Sequence, residues 1–483
     1  MTEDRGRTEH PDPEPGARSP KPEVSVFGGP DVPQRALIDA CVHCGFCLPS
    51  CPTYVLWGEE MDSPRGRVYL MKAALEGRTT LSDTFTRHFD ACLGCMACVT
   101  ACPSGVQYGP LIERTRSQIE QHHQRAVADR LFRAVLFRVL PYPSVLRFAL
   151  APLAIGQWIF RLRPEATTKD FQSRREAAST PVASGFSRKI RGFLPARLRS
   201  LWELAPRITL GSLTGRVPER TAAVGARRLR VGMLSGCVQR MAFPEVNLAT
   251  IRVLAAEGCE VIAPAQQGCC GALSRHSGRL EEARAFARRT IEIFERAGVD
   301  AVVVNAAGCG SSMKEYGDLL EDDAAWASRA HAFRARVRDI SELLVELGEP
   351  RAQRHAIQAT VAYHDACHLS HAQRVRTQPR ALLAQIPGLT VVDIGEPDIC
   401  CGSAGIYNLV QPEPAAALGD RKAACIKAVQ PDIIATGNPG CTLQIAAACE
   451  RIGFRRPVMH PIELLDRSIG GDSTAARRGV AAD

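Results

Sequence analysis

Cysteine is the residue type in this sequence best suited to chemistry, and eight of the 19 cysteines fall into two runs of identical spacing. Each run reads C-x2-C-x2-C-x3-C-P, the spacing with which bacterial ferredoxins bind [4Fe–4S] clusters, where the fourth cysteine of each run ligates the other cluster. The spacing therefore predicts two clusters, one held by Cys41, Cys44, Cys47 and Cys102, and the other by Cys92, Cys95, Cys98 and Cys51. Two zinc sites of four thiolates each are the competing interpretation.

Eight further cysteines occupy equivalent positions in two copies of one pattern, which repeats after about 130 residues within 229–466. In each copy, strand-like segments lead into cysteines, at 229–235, 260–263 and 301–305 and again at 360–363, 390–393 and 432–435. Strands alternating with helices predict a parallel sheet, which binds ligands at the carboxyl ends of its strands. The cysteines placed there are Cys237, Cys269, Cys270 and Cys309 in the first copy and Cys367, Cys400, Cys401 and Cys441 in the second.

The sequence leaves open what each copy would hold, because clustered thiolates suit both iron–sulfur clusters and zinc. Three histidines flank the first cysteine of the second copy and could complete a zinc site, but each is interpreted as an ordinary surface residue: His364, His368 and His371. The first copy offers only His276 nearby, so a two-histidine site would break the symmetry. Helix N-termini at the strand ends are expected to favour thiolates. The last three cysteines are interpreted as small core residues: Cys259, Cys425 and Cys449.

The segment between the two ferredoxin-type runs predicts a short helix that begins after the capping Ser63 and stops at Gly77. Arg65 and Arg67 at its start have two interpretations. Either they place positive charge near a cluster and raise its reduction potential, or they are ordinary solvated side chains. His43, inside the first run, is interpreted as a surface residue because the cysteines already complete the ligand set.

These motifs define an α+β multidomain fold class. We expect a helical ferredoxin-like domain with two [4Fe–4S] clusters, followed by two repeated α/β parallel-sheet domains that carry the Cys-Cys-Gly (CCG) motifs. The predicted regions are a disordered N-terminal arm at 1–33, the ferredoxin-type domain at 34–110, a helical basic linker region at 111–228, CCG domain 1 at 229–350, CCG domain 2 at 351–466 and a disordered tail at 467–483.

Length and composition exclude several other classes of protein. A chain of 483 residues, 45% hydrophobic and 23% charged, is typical of a globular protein. The first residues contain no apolar stretch of the kind found in secretory signals, so we expect a reducing, cytoplasmic environment rather than a secreted disulfide scaffold. The longest uncharged stretch of the most apolar region, 148–160, is too short for a membrane-spanning helix.

Positive charge is concentrated in the middle of the chain. Residues 114–230 hold 23 Lys or Arg and 7 Asp or Glu, whereas the net charge of the whole chain is +9. This region could face an anionic membrane or an acidic partner protein, and no nucleic acid partner is expected because no nucleic-acid-binding motif accompanies it. Apolar residues at helical spacing over 131–140 indicate a basic amphipathic helix, which either lies on a membrane surface or packs on the protein's own core.

The chain resembles the iron–sulfur subunit of bacterial glycolate oxidase (glycolate dehydrogenase) over about residues 34–466. Besides the two ferredoxin-type runs, the motifs that carry the resemblance are Ser63-Pro-Arg-Gly-Arg-Val-Tyr-Leu70, Gly268-Cys-Cys-Gly-Ala272, Cys400-Cys-Gly-Ser-Ala-Gly405 and His460-Pro-Ile-Glu-Leu-Leu465. The resemblance implies an electron-transfer subunit of a 2-hydroxy-acid oxidoreductase that has no catalytic residues of its own. Its partners would be FAD-binding glycolate oxidase subunits, which oxidise glycolate or D-lactate and are the only subunits to hold FAD.

The same resemblance implies that electrons continue to quinone or another acceptor that is not NAD, in the cytoplasm or in peripheral contact with the cytoplasmic face of the inner membrane. One alternative is the iron–sulfur subunit of a sister complex, anaerobic glycerol-3-phosphate dehydrogenase or D-lactate dehydrogenase. Another is a thiol–disulfide reductase of the heterodisulfide type that uses the CCG cysteines. The final C-x-x-C motif of that class is incomplete here, because Ala306 and Asn438 stand three residues before the last cysteine of each copy.

Overall fold

The computed structural model describes residues 25–159, 195–206, 208, 213 and 216–470. Within these residues, a helical N-terminal part precedes two sheets of mainly parallel strands, each flanked by helices. The α+β multidomain fold class is thus confirmed. Residues 1–24 of the predicted arm, 471–483 of the predicted tail and much of the predicted basic linker lie outside the described residues.

Short helices surround the two ferredoxin-type cysteine runs. Ser63 Oγ accepts a hydrogen bond from Gly66 N, and Pro64 is the first helical residue, so this helix begins where the sequence predicted. The apolar faces of the surrounding helices meet in one buried cluster that includes Phe89 and Leu111. The helical elements of this part are Arg35–Asp39, Pro52–Trp57, Glu60–Asp62 (a 3-10 turn), Pro64–Leu75, Asp83–Ala91, Ala97–Thr100 and Tyr108–His122.

Two boundaries of the ferredoxin-type domain differ from the predicted ones. Residues 25–33, predicted to belong to the disordered arm, pack on the domain: Val26 N donates a hydrogen bond to Ala74 O, and Phe27 is buried. The predicted boundary at 110 falls inside the helix Tyr108–His122, which packs in the domain core. The helix continues through Pro110 because a proline is tolerated in the first turn of a helix, where its missing N–H has no intrahelical partner to lose.

Three helices follow in the described part of the linker region: Val127–Val139, Pro143–Ile159 and Ala196–Glu203. The amphipathic helix Val127–Val139 buries Leu136 and Phe137 in a cluster with residues of the second CCG domain, while Leu131 and Val135 on the same helix are exposed. Among the described residues, no single helix has the length and apolar composition to cross a membrane. Val127–Val139 and Pro143–Ile155 reach that length and composition only as a pair, which is bent by 104°.

The first sheet has the strand order β1-β3-β2-β4-β5, in which β1 is antiparallel to β3 and the other neighbours are parallel. Its strands are β1 Arg220–Thr221, β2 Leu229–Leu234, β3 Cys259–Ile262, β4 Ala301–Val304 and β5 Val337–Asp339. The accompanying helices are Val238–Ala242, Pro244–Ala256, Ala272–His276, Leu280–Ala297, Ala307–Lys314, Tyr316–Leu319, Ala327–Arg334 and Ile340–Glu346.

The second sheet has the strand order β7-β6-β8-β9 and is parallel throughout. Its strands are β6 Ala359–His364, β7 Leu389–Asp393, β8 Ile433–Thr436 and β9 Val458–Met459. The six strand-like segments predicted from the sequence correspond to β2, β3, β4, β6, β7 and β8. The accompanying helices are His368–Ala372 (a π-helix), Thr377–Ala384, Tyr407–Val410, Pro412–Ala428, Pro439–Arg451 and Pro461–Gly470.

The two copies share one hydrophobic core. A single buried cluster contains Val231 and Val303 of the first sheet together with Val361 and Ile433 of the second. In both copies the chain moves from the first strand (β2 or β6) to a neighbour on one side and then to a neighbour on the other side (β4 or β8). This reversal is a topological switch point, where α/β sheets form a crevice beyond the carboxyl ends of their strands.

Candidate iron–sulfur and thiol sites

The two ferredoxin-type runs follow the same backbone path. The third and fifth residues of each run have positive φ: His43 at 54° and Gly45 at 87° in the first, Gly94 at 63° and Met96 at 62° in the second. Left-handed residues at matched positions curl each loop and turn its amides inward. Gly94 N accordingly donates to Cys92 Sγ at 3.4 Å. His43 is exposed, as the sequence predicted.

The four cysteines predicted to hold the second cluster line one small cavity. They are Cys51 from the end of the first run and Cys92, Cys95 and Cys98 from the second. The fourth cysteine of the first run therefore lies with the ligands of the second, as the ferredoxin pattern requires. A donor set of four thiols in a largely buried, apolar cavity fits a [4Fe–4S] cluster.

Arg67 lines the same cavity and is buried, so the interpretation of a solvated side chain is wrong for this residue. Its guanidinium donates to His88 O at 2.7 Å, to Thr53 Oγ1 at 3.1 Å and to Asp62 Oδ1 at 3.2 Å. Burial opposes ionisation of the Cys92 thiol, but the positive charges of Arg67 and Arg116 outweigh it and lower the pKa of Cys92. Arg67 thus supplies buried positive charge to this ligand set.

The other ligand set lies nearer the surface. Cys44 is exposed, and Cys41, Cys47 and Cys102 are half-buried. Burial raises the pKa of the Cys41 thiol, and its neighbours Cys102 and Cys44 contribute to the rise, which places Cys102 beside the first run. Two apolar side chains beside these ligands, Val42 and Phe46, are 66% and 68% exposed.

In the first CCG domain, all four predicted cysteines meet at the carboxyl ends of β2, β3 and β4. Cys237 Sγ and Cys269 Sγ are 3.6 Å apart. Hydrogen bonds from Cys269 and Cys309 lower the pKa of the Cys270 thiol well below its ordinary value. The glycine of the motif, Gly271, has φ of 83°, and a Cβ there would lie 3.1 Å from Phe286 Cβ. Only glycine therefore fits this turn.

In the second CCG domain, Cys367 Sγ and Cys400 Sγ are 3.9 Å apart. Hydrogen bonding to Cys400, together with burial, raises the pKa of the Cys367 thiol well above its ordinary value, contrary to the expected thiolate. Three potential metal ligands also converge here: His364 Nδ1 or Nε2, Cys401 Sγ and Cys441 Sγ lie within 4.8 Å of one another, and all three residues are buried.

The prediction that the three histidines lie on the surface is wrong. His364 and His371 are 1% and 2% exposed, and burial lowers the pKa of His368 to about 3. His364 is the last residue of β6, and His368 and His371 belong to the π-helix that follows Cys367. The sequence pattern does not show whether a single histidine at the end of a strand is buried or exposed. Its burial results from the tertiary packing.

The second ferredoxin-type ligand set adjoins the second CCG crevice. Cys95, Cys367 and Cys400 belong to one buried cluster. Burial raises the pKa of the Cys95 thiol well above its ordinary value, and the neighbouring Cys367 raises it further. Thr100 Oγ1 and His371 Nδ1, 2.8 Å apart, join the same two domains.

Two polar residues near these sites were given no role by the sequence reasoning. Lys422 is 1% exposed beside the second crevice and donates to Glu396 O. Asn438 Nδ2 donates to Cys441 Sγ at 3.5 Å. The position of Asn438, three residues before the last cysteine, was interpreted only as a departure from C-x-x-C. Its amide now occupies the place that a cysteine holds in that motif.

Comparison with known proteins agrees with this architecture. The model of the 4Fe-4S dicluster domain matches residues 37–106, and that of the cysteine-rich domain matches residues 231–314 and 361–446. The fold and the two kinds of cysteine site therefore define an iron–sulfur protein with a dicluster domain and a duplicated cysteine-rich domain. Its cofactors include [4Fe–4S] clusters.

The chain is 36% identical to the probable glycolate oxidase iron–sulfur subunit of Bacillus subtilis, and the alignment covers 89% of this chain and 94% of that protein. It is 35% identical to the glycolate oxidase iron–sulfur subunit of Escherichia coli, over 90% and 95% of the two chains. Lactate utilization protein A of an Exiguobacterium species is 29% identical over 50% of this chain and 98% of that protein. The chain belongs to the family of glycolate oxidase iron–sulfur subunits, which are electron-transfer subunits of an oxidoreductase complex.

Proposed function

We propose that this chain carries electrons from FAD-binding glycolate oxidase subunits, which oxidise glycolate, to a quinone or another acceptor that is not NAD. The chain itself would contain no catalytic residue. A hydroxy acid gives up two electrons to a flavin, and [4Fe–4S] clusters, when bound, transfer electrons one at a time. The residues of this chain hold, insulate and tune those clusters.

The observation that carries the proposal is that three thiol sites follow one another through the protein. The exposed Cys44 marks the ligand set nearest to solvent, and Cys95 belongs to the buried set. Cys95 in turn packs with Cys367 and Cys400 of the second CCG crevice. This order supports entry or exit of electrons at the surface set and passage toward the interior.

The surface around Cys44 supports docking of a redox partner there. Val42 and Phe46 flank this cysteine and are mostly exposed, and exposed apolar side chains beside a cofactor allow a partner to approach closely and exclude water. We assign this surface to the FAD-binding subunit. Substitution of Phe46→Asp should weaken co-purification with that subunit and leave the iron content of the chain unchanged.

The proposal is tested in the assembled complex by replacing one ligand of the buried set. Cys98→Ser should abolish glycolate-driven quinone reduction, while glycolate still bleaches the flavin of the partner subunit. Cys425→Ser changes a half-buried cysteine outside every predicted ligand set and should leave quinone reduction intact. Unchanged quinone reduction in Cys98→Ser would refute the relay.

D-lactate is the second candidate substrate, because one relative that matches half of this chain is named a lactate utilization protein. The assembled complex distinguishes the candidate substrates, which are glycolate, D-lactate and glycerol 3-phosphate, the substrate of the other sister complex. Only the true substrate should bleach the flavin of the partner subunit.

The alternative thiol–disulfide reductase is disfavoured by burial, because Cys269 and Cys400 are each 2% exposed. Rapid alkylation of either cysteine in the folded chain, together with disulfide reduction by the isolated chain, would revive it.

Peripheral membrane contact is also proposed, through the exposed side of the helices Val127–Val139 and Pro143–Ile159. Leu131 is 64% and Phe148 78% exposed, and Arg130 is exposed nearby. Apolar side chains among positive charges favour an anionic lipid surface, which is also where a quinone would be met. Flotation with vesicles containing anionic lipid should be reduced by Leu131→Asp and by salt, and unaffected by Val224→Asp, a change at an exposed valine elsewhere.

A further inference from the structure

The geometry points to a mononuclear zinc site in the second CCG domain, formed by His364, Cys401 and Cys441. This site distinguishes the second copy from the first and does not depend on the electron relay. Its ligand atoms, one imidazole nitrogen and two sulfurs, lie within 4.8 Å of one another in the interior of the protein. Imidazole and thiolate are the ligands that zinc prefers.

The spacing of these atoms favours a single ion. With Zn–S of about 2.3 Å and Zn–N of about 2.0 Å, two ligands of a tetrahedral zinc lie about 3.5–3.8 Å apart. Small side-chain rotations close the remaining gap from the 4.8 Å limit. The ligands of a [4Fe–4S] cluster bind four different irons at the corners of a cube and stand farther apart. The triad therefore fits one ion better than a cube.

The histidine supplies an independent sign of a ligand. His364 is 1% exposed, and among the described residues neither of its ring nitrogens has a hydrogen-bond partner. A buried imidazole without any partner costs free energy, which coordination of a metal would recover. A histidine with a purely structural role in the core would be expected to form a hydrogen bond with the backbone through at least one ring nitrogen.

The surroundings provide partners for both kinds of ligand. Thr436 pairs with His364 in the register of β6 and β8, and its buried hydroxyl also lacks a hydrogen-bond partner among the described residues. A hydroxyl at this position could accept from the ring nitrogen that does not bind metal, which is how proteins orient a ligating histidine. Asn438 Nδ2 donates to Cys441 Sγ at 3.5 Å.

The first copy lacks this arrangement. The residue of β2 that corresponds to His364, at the end of the strand and three positions before the first cysteine, is Leu234. Leu234 is buried in an apolar cluster. The two copies thus keep four equivalent cysteines each, but only the second has a histidine at the end of this strand, because the first-copy histidine, His276, lies on a later helix. The site is specific to that copy.

The test uses the full chain, purified without oxygen, with zinc, iron and sulfide measured in the same sample. The wild type should retain about one zinc per chain, with a mixed nitrogen and sulfur shell in zinc X-ray absorption. His364→Leu, which installs the residue of the first copy, should lose that zinc and keep the iron of the ferredoxin-type domain. His371→Leu, the same change at a neighbouring buried histidine that is not a ligand, should retain the zinc.

A second variant covers the case in which His364→Leu fails to fold. His364→Cys should fold, retain the zinc and replace the nitrogen component of the X-ray absorption spectrum by sulfur. Three results would overturn the proposal: a wild-type chain that retains no zinc, zinc that is unchanged in His364→Leu, or a nitrogen component that persists in His364→Cys. Iron and sulfide report the ferredoxin-type clusters separately, so failure of the relay and failure of this site are distinguishable.

Discussion

Thr100 Oγ1 and His371 Nδ1 share a hydrogen bond of 2.8 Å. Thr100 lies between the last two cysteines of the second ferredoxin-type run, and His371 lies four residues after Cys367. The bond therefore fixes the loop that carries cluster ligands against the second CCG crevice. Among the described residues, it is a direct polar contact between the two parts of the chain that the proposed relay must bring together.

Thr100→Val keeps the shape of this side chain and removes the hydroxyl. Loss of the hydrogen bond should cost about 0.5–1.5 kcal/mol. Hydrogen exchange should accelerate in residues 97–102 and 368–372, and Thr80→Val, at an exposed threonine, should leave both segments unchanged. Equal exchange in Thr100→Val and the wild type would show that the contact does not hold the two parts together.

Arg67 and Arg65 should tune different clusters. Arg67 lines the cavity of Cys51, Cys92, Cys95 and Cys98, whereas Arg65 Nη1 donates to His43 O in the first run. At an effective dielectric constant of about 20 and a separation of about 8 Å, one charge contributes about 2 kcal/mol, or about 0.1 V for one electron. EPR-monitored redox titration should show Arg67→Gln lowering the potential of one cluster by about this amount.

The matched variant Arg65→Gln should shift the other cluster, and by less, because Arg65 is partly exposed and ion-paired with Glu60. A shift of the same cluster in both variants would contradict the assignment of ligands to two separate sets.

Glu113 joins the ferredoxin-type domain to the first CCG domain. Its carboxylate accepts from Arg275 Nε at 2.7 Å and lies 3.0 Å from His276 Nδ1. Although burial favours the neutral carboxyl, Arg275 and His276 hold the pKa of Glu113 at about 2. Because Arg275 is only 3% exposed, Glu113→Gln leaves a buried charge partly unpaired and should destabilise the chain by about 3 kcal/mol in chemical denaturation at pH 7.

The control for that variant is Glu281→Gln, which removes an ion pair with Arg284 at a carboxylate that is 78% exposed. It should change the free energy of unfolding by less than about 1 kcal/mol. Equal effects of the two substitutions would show that the buried network does not stabilise the interface.

Asp339 gives a pH-dependent prediction. Burial raises its pKa to about 6, although Ser341 donates to its carboxylate and Lys314 lies nearby. Because the folded pKa lies above the ordinary value of 3.8, folding favours the protonated form, and stability falls as pH rises through the interval from about 4 to 6. Asp339→Asn retains the helix cap and should be more stable than the wild type by about 1–3 kcal/mol at pH 8.

This advantage of Asp339→Asn should shrink as pH is lowered from 6 toward 5, where the wild-type carboxyl becomes protonated. Thermal unfolding at pH 8, 6 and 5 measures it. A variant that is less stable than the wild type at pH 8 would show that the charged carboxylate is needed at the cap.

The sequence predicted those features that depend on local spacing. Both cysteine runs, the cap at Ser63 and the six strands that lead into the cysteines follow from residues within a few positions of one another. The short strands β1, β5 and β9 were missed, because each has only two or three residues. The conformations of 1–24 and 471–483 stay predictions. The predicted boundaries at 33 and 110 differ from the structure, and the helix Pro461–Gly470 runs past the predicted start of the tail at 467.

Features that depend on distant contacts were not predictable in this way. The sequence left open whether Arg67 lies near a cluster or in solvent, and its burial results from Asp62, Thr53 and the backbone of His88 closing around it. His364 reads as a polar strand end, and only the packing of the second copy places it beside Cys401 and Cys441. The contact of Cys95 with Cys367 joins residues more than 270 positions apart.

The central claim is that electrons from the hydroxy acid reach clusters held by the two cysteine runs of this chain. Low-temperature EPR of the anaerobic complex, recorded before and after addition of glycolate, tests it most directly. The account predicts that glycolate produces the signals of reduced [4Fe–4S] clusters, that these signals require the FAD-binding subunit, and that Cys98→Ser removes one of them. Clusters that are present and reducible by dithionite but stay oxidised with glycolate, D-lactate and glycerol 3-phosphate would contradict it.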